Sequence, residues 1–187
     1  MVGNDVVDLQ KARLESNWKH PRFLDKIFTA SEKEIIINSS NSFQSIWRLW
    51  SMKESAYKVY VQQHHKTFLN PNKIECSCLD LIKGKVIIEG NIYKTTSKIS
   101  ESYIYTTALS LINSSFYSCC FETLTEDQGI EIRYKLLKAF AEVYELNFKE
   151  LAIKNNILGI PEFFYKGVLK KHSISITHHG RFAGVAF

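Results

Sequence analysis

The chain has 187 residues, enough for one well-buried domain or for two small half-domains sharing an interface. With 45% hydrophobic and 23% charged residues it has globular usage, which excludes disorder, and no run approaches the roughly 20 apolar residues of a membrane span. The formal net charge of +5 favours acidic partners; the basic residues are scattered among acids with no recognised nucleic-acid module, so no nucleic-acid partner is expected.

The first segment, VGNDVVDL (residues 2–9), is rich in valine and predicts a strand with Asp5, Val7 and Leu9 on one face and Asp8 on the other. Asp5 and Asp8 stand where a secretory signal would be basic and then apolar, so the expectation is a cytoplasmic protein with no membrane partner. Pro21 can open a short helix through Phe28, and Thr29-Ala30-Ser31-Glu32 fits a capping box for a second. From about Phe43 to Gln63, apolar residues recur at helical spacing without proline or glycine, which predicts a long, largely buried helix.

From Cys76 to Phe121 the pattern changes to short β-branched and aromatic runs, CSCLDLI, KVIIEG, IYKTT, YIYTTALSLI and FYSCCF. With turns at Lys83-Gly84 and Gly90-Asn91, these predict an antiparallel sheet. Cys76, Cys78, Cys119 and Cys120 lack the usual spacing of structural zinc ligands and read as buried free thiols. Thr125-Glu126-Asp127 can cap a helix to about Leu146 with an apolar face, and the boundary between halves falls there. The tail offers a short helix near Phe148 to Leu151, a turn at Gly159-Ile160-Pro161, and strands HSISITH and RFAGVAF joined at His179-Gly180. The architecture is therefore α+β, with helix followed by sheet occurring twice.

Chemistry concentrates on the long helix. Glu54 and Lys58 lie one turn apart and share a face; as a lone pair they would be an ordinary surface contact. Trp50 and Tyr57 flank Glu54, however, and a carboxylate in such surroundings needs a partner or ligand. Asp5, on the edge of the first strand, is a suitable second acid. A strand carboxylate facing a helix carboxylate suits a hard divalent cation, magnesium being the natural one, bound together with phosphate oxygens. Gly3 would let a phosphorylated substrate approach the backbone.

The segments GNDVVDL, RFLDKIFTASE, WSMKESAYK and SISITHHGRFAGVAF together resemble the four landmarks of the 4'-phosphopantetheinyl transferase superfamily. They cover roughly the first sixty and last thirty residues. The resemblance implies two similar α+β halves, helices packed on antiparallel sheets and related by a pseudo-two-fold, spanning residues 1–124 and 125–187. It implies transfer of the phosphopantetheine arm of coenzyme A to a serine of an apo acyl or peptidyl carrier protein. A non-catalytic relative that binds coenzyme A or a carrier is the alternative.

By resemblance, Asp5 and Glu54 hold magnesium, Glu54 also serves as the base, and Lys58 contacts phosphate. Lys53, within the same motif, joins Lys58, Arg133, Thr177 and His178 as the coenzyme A contacts. Arg133 reads equally as an exposed arginine. The sequence departs from two-half members at Val7, where they carry an acid, and at Ile160, where they carry a lysine that Lys154 or Lys166 would have to replace. Motif order resembles a circular permutation, and an internal site removes the need for the trimer of the short synthases, so a monomer is expected. Arg13, Lys19, Arg22 and Lys26 are the expected carrier-docking cations.

Overall fold

A computed structural model describes the chain apart from residues 69, 111–114 and 124–126. The first strand, β1 (Val2–Asp8), is buried along its whole length. It forms one edge of a five-stranded antiparallel sheet with β2 (Ile74–Cys78), β3 (Lys83–Ile88), β4 (Asn91–Ile99) and β5 (Tyr103–Ser110), in the order β1-β5-β4-β3-β2. Between β1 and β2 come four helices: α1 (Leu9–Glu15), α2 (Pro21–Ile27), α3 (Ala30–Ile37) and α4 (Ser42–His64). The long α4 packs against β1 and β5, and its residues Leu49, Met52 and Val59 enter a core with Val7, Ile88 and Ile104.

Helix α1 was not anticipated, because Asp8-Leu9 reads as the end of a strand. Asp8 instead leaves the strand and caps α1, its side chain accepting from the Gln10 and Lys11 amides. The Thr29/Glu32 capping box is present as expected. The turn expected at Lys83-Gly84 lies earlier, at residues 79–82, and both residues belong to β3. The other turn is centred on Glu89 and Gly90, both with positive φ, the backbone that a tight two-residue hairpin demands.

The remaining elements are β6 (Ser118–Glu122), α5 (Gln128–Val143), β7 (Leu151–Asn155), β8 (Pro161–Tyr165), β9 (Val168–Lys170), β10 (Ser175–His179) and β11 (Phe182–Ala186). Thr125 and Glu126 of the expected α5 cap lie outside the described residues; Asp127 stands at the N-cap without a side-chain cap bond. Strand β6, read from sequence as part of the first sheet, pairs with β11 in a separate sheet of order β10-β11-β6. Strands β7, β8 and β9 form a third sheet that the sequence pattern did not reveal. Helix α5 packs on β11 and β7, and a second core forms around Leu136, Phe140, Phe163 and Val185. The cysteines are free; only Cys76 is buried and the other three are half-buried, which corrects the expectation of four buried thiols.

The outer edge of β1 meets β10 through side chains. Val2 donates its amide to Ser173 Oγ (2.7 Å), Asn4 to Ser175 Oγ (3.0 Å), Val6 to Thr177 Oγ1 (3.3 Å) and Asp8 to His179 Nδ1 (2.9 Å). Every second residue of each chain takes part in constant register, so the edge amides of β1 are satisfied without a backbone ladder. Gly3 is required on the opposite side: a Cβ there would run into the Ser55 carbonyl oxygen and the Val59 side chain of α4. Its close neighbour is thus a helix, and the expectation that the glycine admits a substrate is corrected.

Candidate active site

Asp5 lies in the middle of β1, opposite Thr106 of β5, where the strand faces both α4 and β10. Its Oδ1 accepts from Thr177 Oγ1 (3.2 Å) and lies 3.6 Å from Lys58 Nζ. The second oxygen, Oδ2, is buried without a hydrogen-bond partner among the described residues. Burial raises the Asp5 carboxyl above its ordinary value, against the pull of Lys58 and of hydrogen bonds from Ser51 and Thr177.

Glu54 projects from α4 toward the same place. Burial, reinforced by the negative charge of Asp5 and opposed by Lys58, pushes its carboxyl up to about 7. Two buried carboxyls whose proton affinity is raised, that of Glu54 partly by the charge of Asp5, and an orphaned oxygen on Asp5 are what a bound cation would relieve. Among the described residues no cluster of three or more potential ligands occurs, so the protein offers two carboxylates. Magnesium accepts that donor set when waters and phosphate oxygens complete its shell. At position 7, where a further acid would stand, Val7 is buried in the first core.

Lys58 follows Glu54 by one turn. Its ammonium donates to the Asn4 carbonyl oxygen (2.8 Å) and, over a longer 3.4 Å, to that of Ile176. It also lines a cavity of about 240 Å³ whose other walls include Tyr57, Ile160, Ile174 and Ile176. Gly159-Ile160-Pro161 therefore reaches the neighbourhood of Lys58, with an apolar side chain at the position of the missing lysine. Lys154 and Lys166 do not line this cavity; Lys154 lies over the Phe164 ring and Lys166 pairs with Glu150.

The other contacts expected from sequence divide. Thr177 is buried and its hydroxyl bridges the Val6 amide and Asp5. His178 is exposed and does not line the cavity, which the preceding residues Ile174, Ser175 and Ile176 do. Arg133 hydrogen-bonds Asn155 of β7 (3.0 Å), and no hydrogen bond or ion pair joins it to Asp5, Glu54 or Lys58.

Lys53 requires a correction. Its side chain is fully buried; Nζ contacts the carbonyl oxygens of Ile27, Pro71 and Ile74 and the Glu32 carboxylate (2.7 Å). Its three hydrogens are committed to four acceptors, and no phosphate can reach it. One residue along a helix turns a side chain by about 100°, so Lys53 and Glu54 cannot share a face.

Two further residues escaped sequence reasoning. Arg181 holds Asp8 through Nε (2.9 Å), Nη2 (3.1 Å) and its own amide (3.0 Å). Burial pushes the Asp8 carboxyl up, but these bonds and the Lys11 amide outweigh it and hold it down at about 2. The pair fixes the junction of β1 and α1 to the turn between β10 and β11. The adjacent His179 is lowered by burial and by Lys11, which suits its role as acceptor from the Asp8 amide.

By fold the chain is an α+β protein that gathers an acidic pair and a lysine at the seam between two antiparallel sheets. Residues 1–109 match the family model described as the 4'-phosphopantetheinyl transferase superfamily, more than half of the sequence. The chain belongs to that superfamily. Among solved structures it is similar to the holo-[acyl-carrier-protein] synthase of Thermotoga maritima, at 11% identity, covering 90% of this chain and 83% of that one with a TM-score of 0.45. A search of curated proteins gives no match.

Proposed function

We propose that this protein transfers 4'-phosphopantetheine from coenzyme A to a serine of an apo acyl or peptidyl carrier protein, with magnesium, releasing adenosine 3',5'-bisphosphate. The observation that carries the reading is the meeting of Asp5 and Glu54, distant in sequence, beside Lys58 in a member of this superfamily. In the transfer, the serine Oγ bonds to the phosphorus bearing the pantetheine arm as that phosphorus loses its bond to the bridging oxygen. The electron pair leaves with the adenosine bisphosphate.

Asp5 and Glu54 would hold the magnesium, which when bound supplies positive charge to the diphosphate. Glu54, directed at the same place as Asp5, would also receive the serine proton. Lys58 would offset charge on the departing phosphate. Thr177 orients Asp5, and His178 and Arg133 are proposed contacts for the nucleotide. Exposed Arg13, Lys19, Arg22 and Lys26 on or beside α1 and α2 would receive an acidic carrier. The separate cores around Met52 and Phe140 support a division into two halves, near residues 124 and 125. With the site built within one chain, the protein would act as a monomer, in the cytoplasm.

The test is mass spectrometry of apo carrier proteins incubated with the protein, coenzyme A and magnesium. The phosphopantetheine mass gain on a carrier is expected. A panel of genuine carriers left unmodified, with coenzyme A binding retained, would establish the non-catalytic relative instead.

A further inference from the structure

Gln62 stands one turn beyond Lys58 on α4 and is buried. Its Nε2 donates to the carbonyl oxygens of Val2 (2.9 Å) and Ile174 (3.1 Å), and its Oε1 accepts from Ser173 Oγ (2.6 Å). Lys58 repeats this arrangement two residues along both segments, with Asn4 (2.8 Å) and Ile176 (3.4 Å). Two side chains of one helix therefore bridge the β1 edge and the β10 segment as successive rungs.

The rungs are unequal. The Gln62 rung is short on both sides, neutral, and locked by a third bond. The Lys58 rung is long toward Ile176 and partly exposed, and its ammonium lies 3.6 Å from Asp5; both rungs border the cavity of about 240 Å³, but only Lys58 brings a charge to it beside Asp5. A cation drawn to a ligand phosphate would give up its longest carbonyl bond first, since a charge-assisted bond to phosphate is stronger than one to a neutral carbonyl.

We propose that Gln62 is a positioning residue: it holds the β10 segment on β1 so that Lys58 can release Ile176 and turn to a phosphate without the seam opening. This rests on the proposed function for the ligand's identity, but the clamp itself is a property of the fold. Without Gln62, Lys58 is the remaining α4 side chain that bridges the two segments, and engaging a ligand loosens the wall that carries Thr177.

The test is calorimetric titration of coenzyme A with magnesium into the wild type, Gln62→Met and Leu136→Ala. Leu136 lies in the second core, and its truncation lowers stability away from the seam. Gln62→Met should weaken binding by about tenfold, the loss of roughly one charge-assisted hydrogen bond to the ligand, while Leu136→Ala binds as the wild type. Wild-type affinity in Gln62→Met, or an equal loss in Leu136→Ala, overturns the proposal. Should Gln62→Met not fold, Ser173→Ala removes the hydroxyl that locks Gln62, and about a threefold loss is expected, with no change counting against the clamp. A wild type that does not bind coenzyme A would refute the proposed function. The clamp is then decided by urea unfolding of Lys58→Met, Gln62→Met and the double variant: a combined loss larger than the sum supports it, and simple additivity refutes it.

Discussion

Glu54 should make the metal-free protein less stable than it would be with glutamine at the same place. Its carboxyl rises from the ordinary 4.5 to about 7 in the folded protein, so the folded state binds the proton more tightly than the unfolded state does. Well below 4.5 both states are protonated and nothing is lost. Between 4.5 and about 7 the unfolded chain ionises first, and stability falls as pH rises; above about 7 the full cost is present. At about 1.4 kcal/mol per pH unit that cost is on the order of 3 kcal/mol. Glu54→Gln removes it with little change of shape, and at pH 8 in a chelator should raise the melting temperature by roughly 6–12 °C for a chain of this size. The assay is a pair of thermal melts, wild type against variant, at pH 8 and near pH 4, where the difference should nearly vanish. Equal melting temperatures at pH 8, or a difference of the same size at both pH values, would refute the reasoning. Magnesium with coenzyme A should stabilise the wild type and not the variant.

Asp5→Asn keeps the acceptor for Thr177 but removes charge from the acidic pair, and should lower transfer by roughly 100-fold or more in the mass-spectrometric assay while far-ultraviolet circular dichroism stays unchanged. Lys53→Met strands the buried Glu32 carboxylate, and urea unfolding should show a loss of about 3–5 kcal/mol, a cost unrelated to coenzyme A binding. Gly3→Ala forces a methyl group against the Ser55 carbonyl, so β1 and α4 must separate; a loss of about 1–3 kcal/mol is expected in the same measurement.

The parts legible from sequence are those whose cause is local. Helix α4 shows itself through unbroken helical spacing, and the Thr29/Glu32 box through a pairing three residues apart. The second task of Glu32 does not show: it also accepts the Cys76 amide (2.7 Å) and pairs with Lys53, partners that only folding brings near. For the same reason Lys53 and Lys58, alike on paper, separate into a buried strut and a residue facing the site. Asp5, Glu54 and Lys58 stand out in the sequence because their residue types and surroundings fit a chemistry. Gln62 and Arg181 were missed because their partners lie 60 to 173 positions away. Strands β8 and β9 turn at Lys166-Gly167, where a non-glycine residue takes positive φ and leaves no strong dipeptide signal.

The bond between β1 and the β10 segment consists of serine, threonine and histidine side chains taking up main-chain amides, and this makes the union adjustable. A backbone ladder is indifferent to residue identity and resists tuning by single substitutions. Here each fastening is encoded by one codon, so Ser173, Ser175, Thr177 or His179 could be replaced singly to loosen one rung while leaving both strands paired on their far sides. The spacing of β1 and β10 around Asp5 is therefore a heritable quantity that can change in small steps, without any alteration of the sheets that flank it.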